Sequence, residues 1–108
     1  SDILPDDQKL VIETAKVIRE GFLQQNAFHE HDTYMVPANQ MAMLRVILRL
    51  YDGARTLVAA GIPIRELAET GIFAALGRMK FGLGEGRPAQ EYEKMVDDAL
   101  GRVRRANA

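Results

Sequence analysis

His29, Glu30, His31 and Asp32 place two imidazoles and two carboxylates within four consecutive residues. Both groups are good metal ligands, and on a loop His-x-His can turn two ring nitrogens onto one ion. The chain has no third histidine and no cysteine to complete such a set. The other carboxylates fall mostly on expected solvent faces of helices, so the run reads as a hydrogen-bonded polar loop and no metal site is expected. Gly82, Gly84 and Gly86 superficially suit a phosphate-binding loop. Such loops follow a strand and open a helix, so that backbone N–H groups and the helix dipole meet the phosphate. Here the glycines follow a helical pattern and lack the Gly-Lys-Ser/Thr ending, so a flexible connector is the simpler reading. Ser1 is the only serine and sits in no nucleophile motif. No catalytic residue is expected within these residues.

Gln24, Gln25 and Asn26 are three consecutive amides, followed by Ala27 and the aromatic Phe28. At a helix end amides can satisfy the last backbone carbonyls, which is a structural role. An aromatic leaving a helix beside amides can also stack on a flat ring while the amides read its polar edge. Stacking of that kind is worth about 1–3 kcal/mol per base. The residues alone leave both readings open.

The element that must position this cluster is the segment from Asp6 to Asn26. Leu10, Thr14, Val17, Ile18, Gly21 and Phe22 recur at helical spacing, with Val11, Ala15 and Leu23 widening the same face. Lys9, Glu13, Lys16 and Glu20 form an opposite, solvated stripe of alternating sign. Pro5 suits the start of the helix, and Asp6 and Asp7 suit the positive end of its dipole. Ala27 to Val36 lacks periodicity and reads as an ordered loop.

A second helix is expected from Pro37 to about Ala60, closing on Gly61. Met43, Ile47, Leu50, Ala54 and Leu57 form one apolar row, and Leu44, Leu48, Tyr51 and Val58 a second beside it. A helix apolar over most of its circumference packs against several neighbours, so this one is the expected central strut. Two short helices follow, the first from Pro63 to Gly71, the second turning Phe73, Leu76 and Met79 to the core. Phe81 to Pro88 reads as a glycine-rich hinge or loop. The last helix, about Pro88 to Ala106, aligns Tyr92, Met95, Val96, Ala99 and Val103. No segment alternates apolar and polar residues as a strand would. The expected fold is all-α, an irregular bundle of four to five helices with a long central helix, forming a single domain over residues 1–108.

With 108 residues, 47% hydrophobic and 27% charged, the chain suits one globular core. A net charge of −1 offers no electrostatic basis for binding nucleic acid or an anionic membrane. Without cysteine there is no disulfide framework and no thiol chemistry, which fits an intracellular protein. No run approaches the roughly 20 apolar residues of a membrane helix, and SDILPDDQ does not resemble a signal peptide. The chain also starts without methionine, and a fragment of a larger protein is the expectation.

The thirteen residues FLQQNAFHEHDTY, Phe22 to Tyr34, resemble the FLQQNAF-x-x-x-D-x-Y stretch of the catalytic A subunit of V/A-type ATPases and ATP synthases. The likeness extends upstream through LPDDQKLVIETAKVIREGF and downstream through AGIPI and LGRMKF, covering nearly the whole chain. Met35 stands where many relatives carry cysteine. The resemblance implies a C-terminal helical domain of a rotary enzyme that couples ATP synthesis or hydrolysis to proton or sodium transport. The P-loop, catalytic glutamate and magnesium ligands would lie in an upstream nucleotide-binding domain, and this domain alone would not be catalytic. ATP or ADP with magnesium would bind the full-length protein, with none held tightly by this piece. Its partners would be the non-catalytic B subunits and the rotor of the central stalk. It would sit in the cytoplasm, peripheral to the membrane and not inserted in it.

The same resemblance implies that Phe28 is the aromatic wall of the adenine pocket, with Gln25, Asn26 and Gln24 beside it. The F-type beta subunit has a similar FLSQPF stretch. Its acidic DELSEEDKL loop, which faces the rotor, is similar to DILPDDQKL here, implying stalk contact for Asp2, Leu4, Pro5, Asp6 and Asp7. Plain N-capping by aspartate is the alternative reading of that loop and does not exclude contact. A helix from Asp6 to Asn26 would span roughly 30 Å, joining the two ends as a rod. A different class of reading is a stand-alone helical protein-interaction module with no nucleotide role.

Overall fold

Pro5, in extended conformation, starts the first helix by offering its carbonyl to the N–H groups of Gln8 and Lys9 at 3.1 and 3.0 Å. The computed structural model describes residues 4–23 and 36–108. Helix α1 runs Asp6–Ile18 and passes directly into a π-helical turn, Arg19–Leu23. Helices α2 (Pro37–Ala59), α3 (Ile64–Ala68), α4 (Ile72–Gly77), α5 (Met79–Gly84) and α6 (Ala89–Ala106) follow. Among the described residues the fold is all-α, as expected.

Helix α2 is the central strut. It touches α1, α3, α5 and α6, most extensively α6 and then α1. Its first apolar row is buried throughout: Met43, Ile47, Leu50, Ala54 and Leu57, with Val46 added. The second row only partly finds cover. Tyr51 and Val58 pack against the core, whereas Leu44 and Leu48 remain 39% and 51% exposed. At Gly61 the chain turns with φ of +86°, a conformation that glycine adopts without a Cβ penalty. The Ile62 N–H then returns to the Leu57 carbonyl at 3.0 Å, closing the helix.

Helices α3 and α4 are the two short helices expected, and they bury Ile64, Leu67, Phe73 and Leu76, followed by Met79 at the start of α5. The glycine-rich stretch differs from its reading as hinge or loop. Its first four residues, Phe81 to Gly84, continue helix α5, and the remainder to Pro88 connects it to α6. The reason is tertiary. Gly82 and Leu83 are buried, and a Cβ on Gly82 would run into the Tyr92 hydroxyl, so the glycine admits a close helix–helix contact. On α6, Tyr92, Val96, Ala99 and Val103 are buried as expected. Leu100 joins them, and Met95 faces outward.

Arg49 of α2 and Asp97 of α6 form two hydrogen bonds, 2.9 and 3.0 Å, across the outside of their shared interface. That bond from the Arg49 guanidinium holds the Asp97 carboxyl below the ordinary carboxylate value.

Candidate functional site

The acidic tip of α1 is the part of the expected site that the described residues contain. Leu4 is half-buried, Pro5 and Asp7 are exposed, and Asp6 is half-buried. Both aspartates stand in the first turn, where the helix dipole favours negative charge. Their partners then separate their roles. Asp7 Oδ1 accepts the N–H of its neighbour Gln8 at 2.9 Å and otherwise faces water. Asp6 Oδ1 accepts the N–H of Ile64, at 3.3 Å, from 58 residues along the chain.

Ile64 is the first residue of α3, and the residue before it, Pro63, has no side-chain acceptor to offer. Asp6 therefore caps α3 from another helix, supplying an oxygen to one of the N–H groups that a helix start leaves unpaired. The tip and the Ala60–Pro63 turn are thereby held together. Of the expected stalk residues, the fold gathers Leu4, Pro5, Asp6 and Asp7 at one end of α1, and Asp2 lies outside the described residues. The capping role of Asp6 was invisible in the sequence, because nothing local signals a partner 58 positions away.

At the other end, Gln24, Gln25, Asn26 and Phe28 lie outside the described residues. So do His29, Glu30, His31 and Asp32, and the side chain of Leu23. The approach to them is described. The expected regular helix gives way at Arg19 to a π turn, in which each N–H reaches five residues back. Gly21 is buried in this turn, and a Cβ there would stand 2.8 Å from Met43 Cε of α2. Phe22 packs half-buried against the core. Gly21 is the one sequence signal for the irregularity, and taken alone it reads equally well as a small residue on a helix face.

Among the described residues no group of three or more His, Cys, Asp or Glu side chains comes together as a metal site could require. Among them, too, no helix is long and apolar enough to cross a membrane.

Residues 1–68 match the family described as the C-terminal domain of V and A type ATP synthase. The chain belongs to this family. The V/A-type match spans α1, the π turn, α2 and α3, and therefore both the acidic tip and the FLQQNAF stretch. Similarity to individual relatives runs further. The chain is 45% identical over 82 residues to the V-type ATP synthase alpha chain 2 of Clostridium tetani, covering 76% of this chain and 14% of that one. It is 44% identical over 80 residues to the A-type ATP synthase A subunit of Thermococcus sibiricus, covering 74% and 14%. With the A-type ATP synthase A subunit of Methanopyrus kandleri, identity is 40% over 99 residues, covering 90% and 17%. The chain thus spans only 14–17% of the length of these relatives.

Proposed function

We propose that this domain serves in the catalytic A subunit of a V/A-type rotary ATP synthase or ATPase, which couples ATP synthesis or hydrolysis to proton or sodium transport. The observation that carries this reading is the family match over residues 1–68, which takes in the acidic tip and the amide–aromatic stretch together. Catalysis belongs to another part of the full-length protein, where the P-loop, a glutamate and the magnesium ligands act on ATP or ADP. The partners are the non-catalytic B subunits and the central stalk, in a head that lies peripherally on the cytoplasmic side of the membrane.

In this reading Phe28 forms an aromatic wall against adenine, with Gln25, Asn26 and Gln24 near the polar edge of the ring. The donor set supports it, since one aromatic face and three amides suit a flat heterocycle with a hydrogen-bonding rim. Asp2, Leu4, Pro5 and Asp7 meet the stalk, and Asp6 contributes by holding the tip to α3. The helical rod from Asp6 to Leu23 lies between the two contacts. A stiff element of this kind can pass a change of shaft angle to the nucleotide site as a rigid-body movement.

The test uses the full-length protein in its assembled complex. Phe28→Ala should weaken nucleotide binding by about 5- to 150-fold, the loss of one stacking contact, and Phe28→Tyr should restore most of it. Asp7→Lys should impair ATP-driven rotation while nucleotide affinity stays intact. Unchanged affinity in the first variant would remove the adenine role, and unchanged rotation in the second the stalk role. Ala15→Gly, which softens the exposed middle of α1, tests the rod. Hydrolysis and rotation equal to the parent's would end the coupling idea.

A further inference from the structure

A trough runs along the flank of α1 that faces α3, α4 and α5, away from the α1–α2 contact. One part, a cleft of about 270 Å³, lies between α1 and α3 and is bordered by Leu4, Ile12 and Ile64. The next, about 480 Å³, lies between α1 and the α4–α5 pair, over Val17 and Phe73 and beside Phe81. Glu13 and Lys16 border both clefts, so the two adjoin end to end along α1. From Lys9 to Glu20 they follow α1 for about 16 Å, three turns of helix.

Two features of the trough point to an occupant. Large apolar side chains stand exposed along it, Ile12 at 42% and Phe81 at 49%, above a buried floor of Val17 and Phe73. Among the described residues, its borders also carry five cations, Lys9, Lys16, Arg65, Arg78 and Lys80, against two carboxylates, Glu13 and Glu20. In a chain of net charge −1 this is a local concentration of positive charge. Lys16 lies 3.6 Å from Glu13, and Arg65 lies 3.9 Å from Glu69. Both pairs are solvent-exposed, so each cation can turn to a second carboxylate at little cost.

We propose that this trough docks an acidic amphipathic helix from a partner protein. Two adjoining clefts lined up along one helix suit a helical ligand, whose apolar side chains at i, i+3 or i+4 and i+7 would follow Ile12 and Phe81. Carboxylates on the flanks of that ligand would meet Lys16 and Arg78, which sets its charge and orientation. Phe81, with the Lys80 ammonium 5.2 Å from its ring centroid, is the aromatic anchor. Apart from Leu4 at the end of the α1–α3 cleft, the proposal uses no residue given a nucleotide or stalk role, and its test measures neither.

The experiment titrates the purified full-length protein with a fluorescent leucine–glutamate amphipathic helix and with the same peptide in which every glutamate is replaced by lysine. Saturable binding of the acidic peptide, weakened by salt and absent for the lysine peptide, is expected. Phe81→Asp and the double variant K16E/R78E should each weaken binding by about tenfold or more, as loss of an interface anchor does. All three positions are exposed, and circular dichroism checks that the variants fold. Leu48→Asp, on an exposed face of α2 outside the trough, should bind as the parent does. Equal or tighter binding of the lysine peptide would overturn the proposal. So would undiminished affinity in Phe81→Asp, or an equal loss in Leu48→Asp.

Discussion

Arg49 and Asp97 meet in paired hydrogen bonds from Nε to Oδ1 and from one terminal guanidinium nitrogen to Oδ2, clasping the two longest helices, α2 and α6, at their outer edge. The geometry is bidentate, which gives such a pair more directionality than a lone ammonium contact. Both side chains are half-exposed, so salt and water screen the attraction.

The clasp has a pH signature. Its hydrogen bond holds the Asp97 carboxyl below the ordinary value of 3.8. A group depressed in the folded state contributes stability that is present above its unfolded value and is lost as pH falls through its folded one. Asp97→Asn should therefore unfold more readily than the parent at neutral pH, and the difference should vanish in acid below the ordinary carboxylate range. Urea unfolding at pH 7 and in acid checks this, and a difference that persists undiminished in acid would refute it.

Asp6 makes a second long-range tie, to the Ile64 N–H. Asp6→Ala should destabilise the domain by about 0.5–1.5 kcal/mol, the usual worth of a partly buried hydrogen bond or helix cap. Asp6→Asn keeps an acceptor oxygen and should lose less. Asp7→Ala, at an exposed position, should change stability by no more than about 0.5 kcal/mol. Thermal unfolding of the three variants should rank them in that order, and equal losses for Asp6→Ala and Asp7→Ala would contradict the capping role.

The contrast between those two aspartates shows where sequence reading stops. The first turn of α1 is legible because Pro5, Asp6 and Asp7 act on their own helix. The tie to α3 is not, because it depends on how two helices dock. The same limit divides the rows of α2. Periodicity gives the apolar stripe its width, but only packing decides that Leu57 and Tyr51 find neighbours while Leu44 and Leu48 face outward. Glycine propensity argued for a loop at Phe81–Pro88, and the contact with Tyr92 outweighed it. For the site, the acidic tip took its expected place at one end of α1, and the amide–aromatic stretch was recognisable from resemblance rather than from spacing.

The first two glycines of the Phe81–Pro88 stretch should answer differently to alanine. In Gly82→Ala the new methyl would collide with the Tyr92 hydroxyl and lie 3.0 Å from Cζ, inside a buried contact. Overpacking of this kind costs about 1–3 kcal/mol, more than alanine's helix propensity returns. Gly84 has nothing within 4 Å of an added Cβ and no positive φ, so Gly84→Ala should be neutral or stabilising by up to about 1 kcal/mol. Chemical denaturation measures both. The double variant G82A/Y92F should recover part of the first loss, and no recovery would place the strain elsewhere.

Leu76 and Leu48 separate buried from exposed leucine. Leu76 is fully buried, and Leu76→Ala should cost about 2–5 kcal/mol. Leu48→Ala, at a half-exposed position, should cost less than about 1 kcal/mol. Comparable losses in unfolding experiments would mean that the outer face of α2 is covered in solution.

The π turn at Arg19–Leu23 has a consequence for how the domain can vary in length. A turn closed by bonds five residues apart holds one residue more than an α-turn, so it can give that residue up without opening the hydrogen-bonded ladder. Deleting one residue there would leave an ordinary α-turn, with the helix before it and the chain after it kept nearly in phase. The acidic tip lies before this point, and the amides and Phe28 come after it. The turn is therefore a length buffer between the two ends, a place where one residue can be gained or lost while each end keeps its own side chains and its own facing.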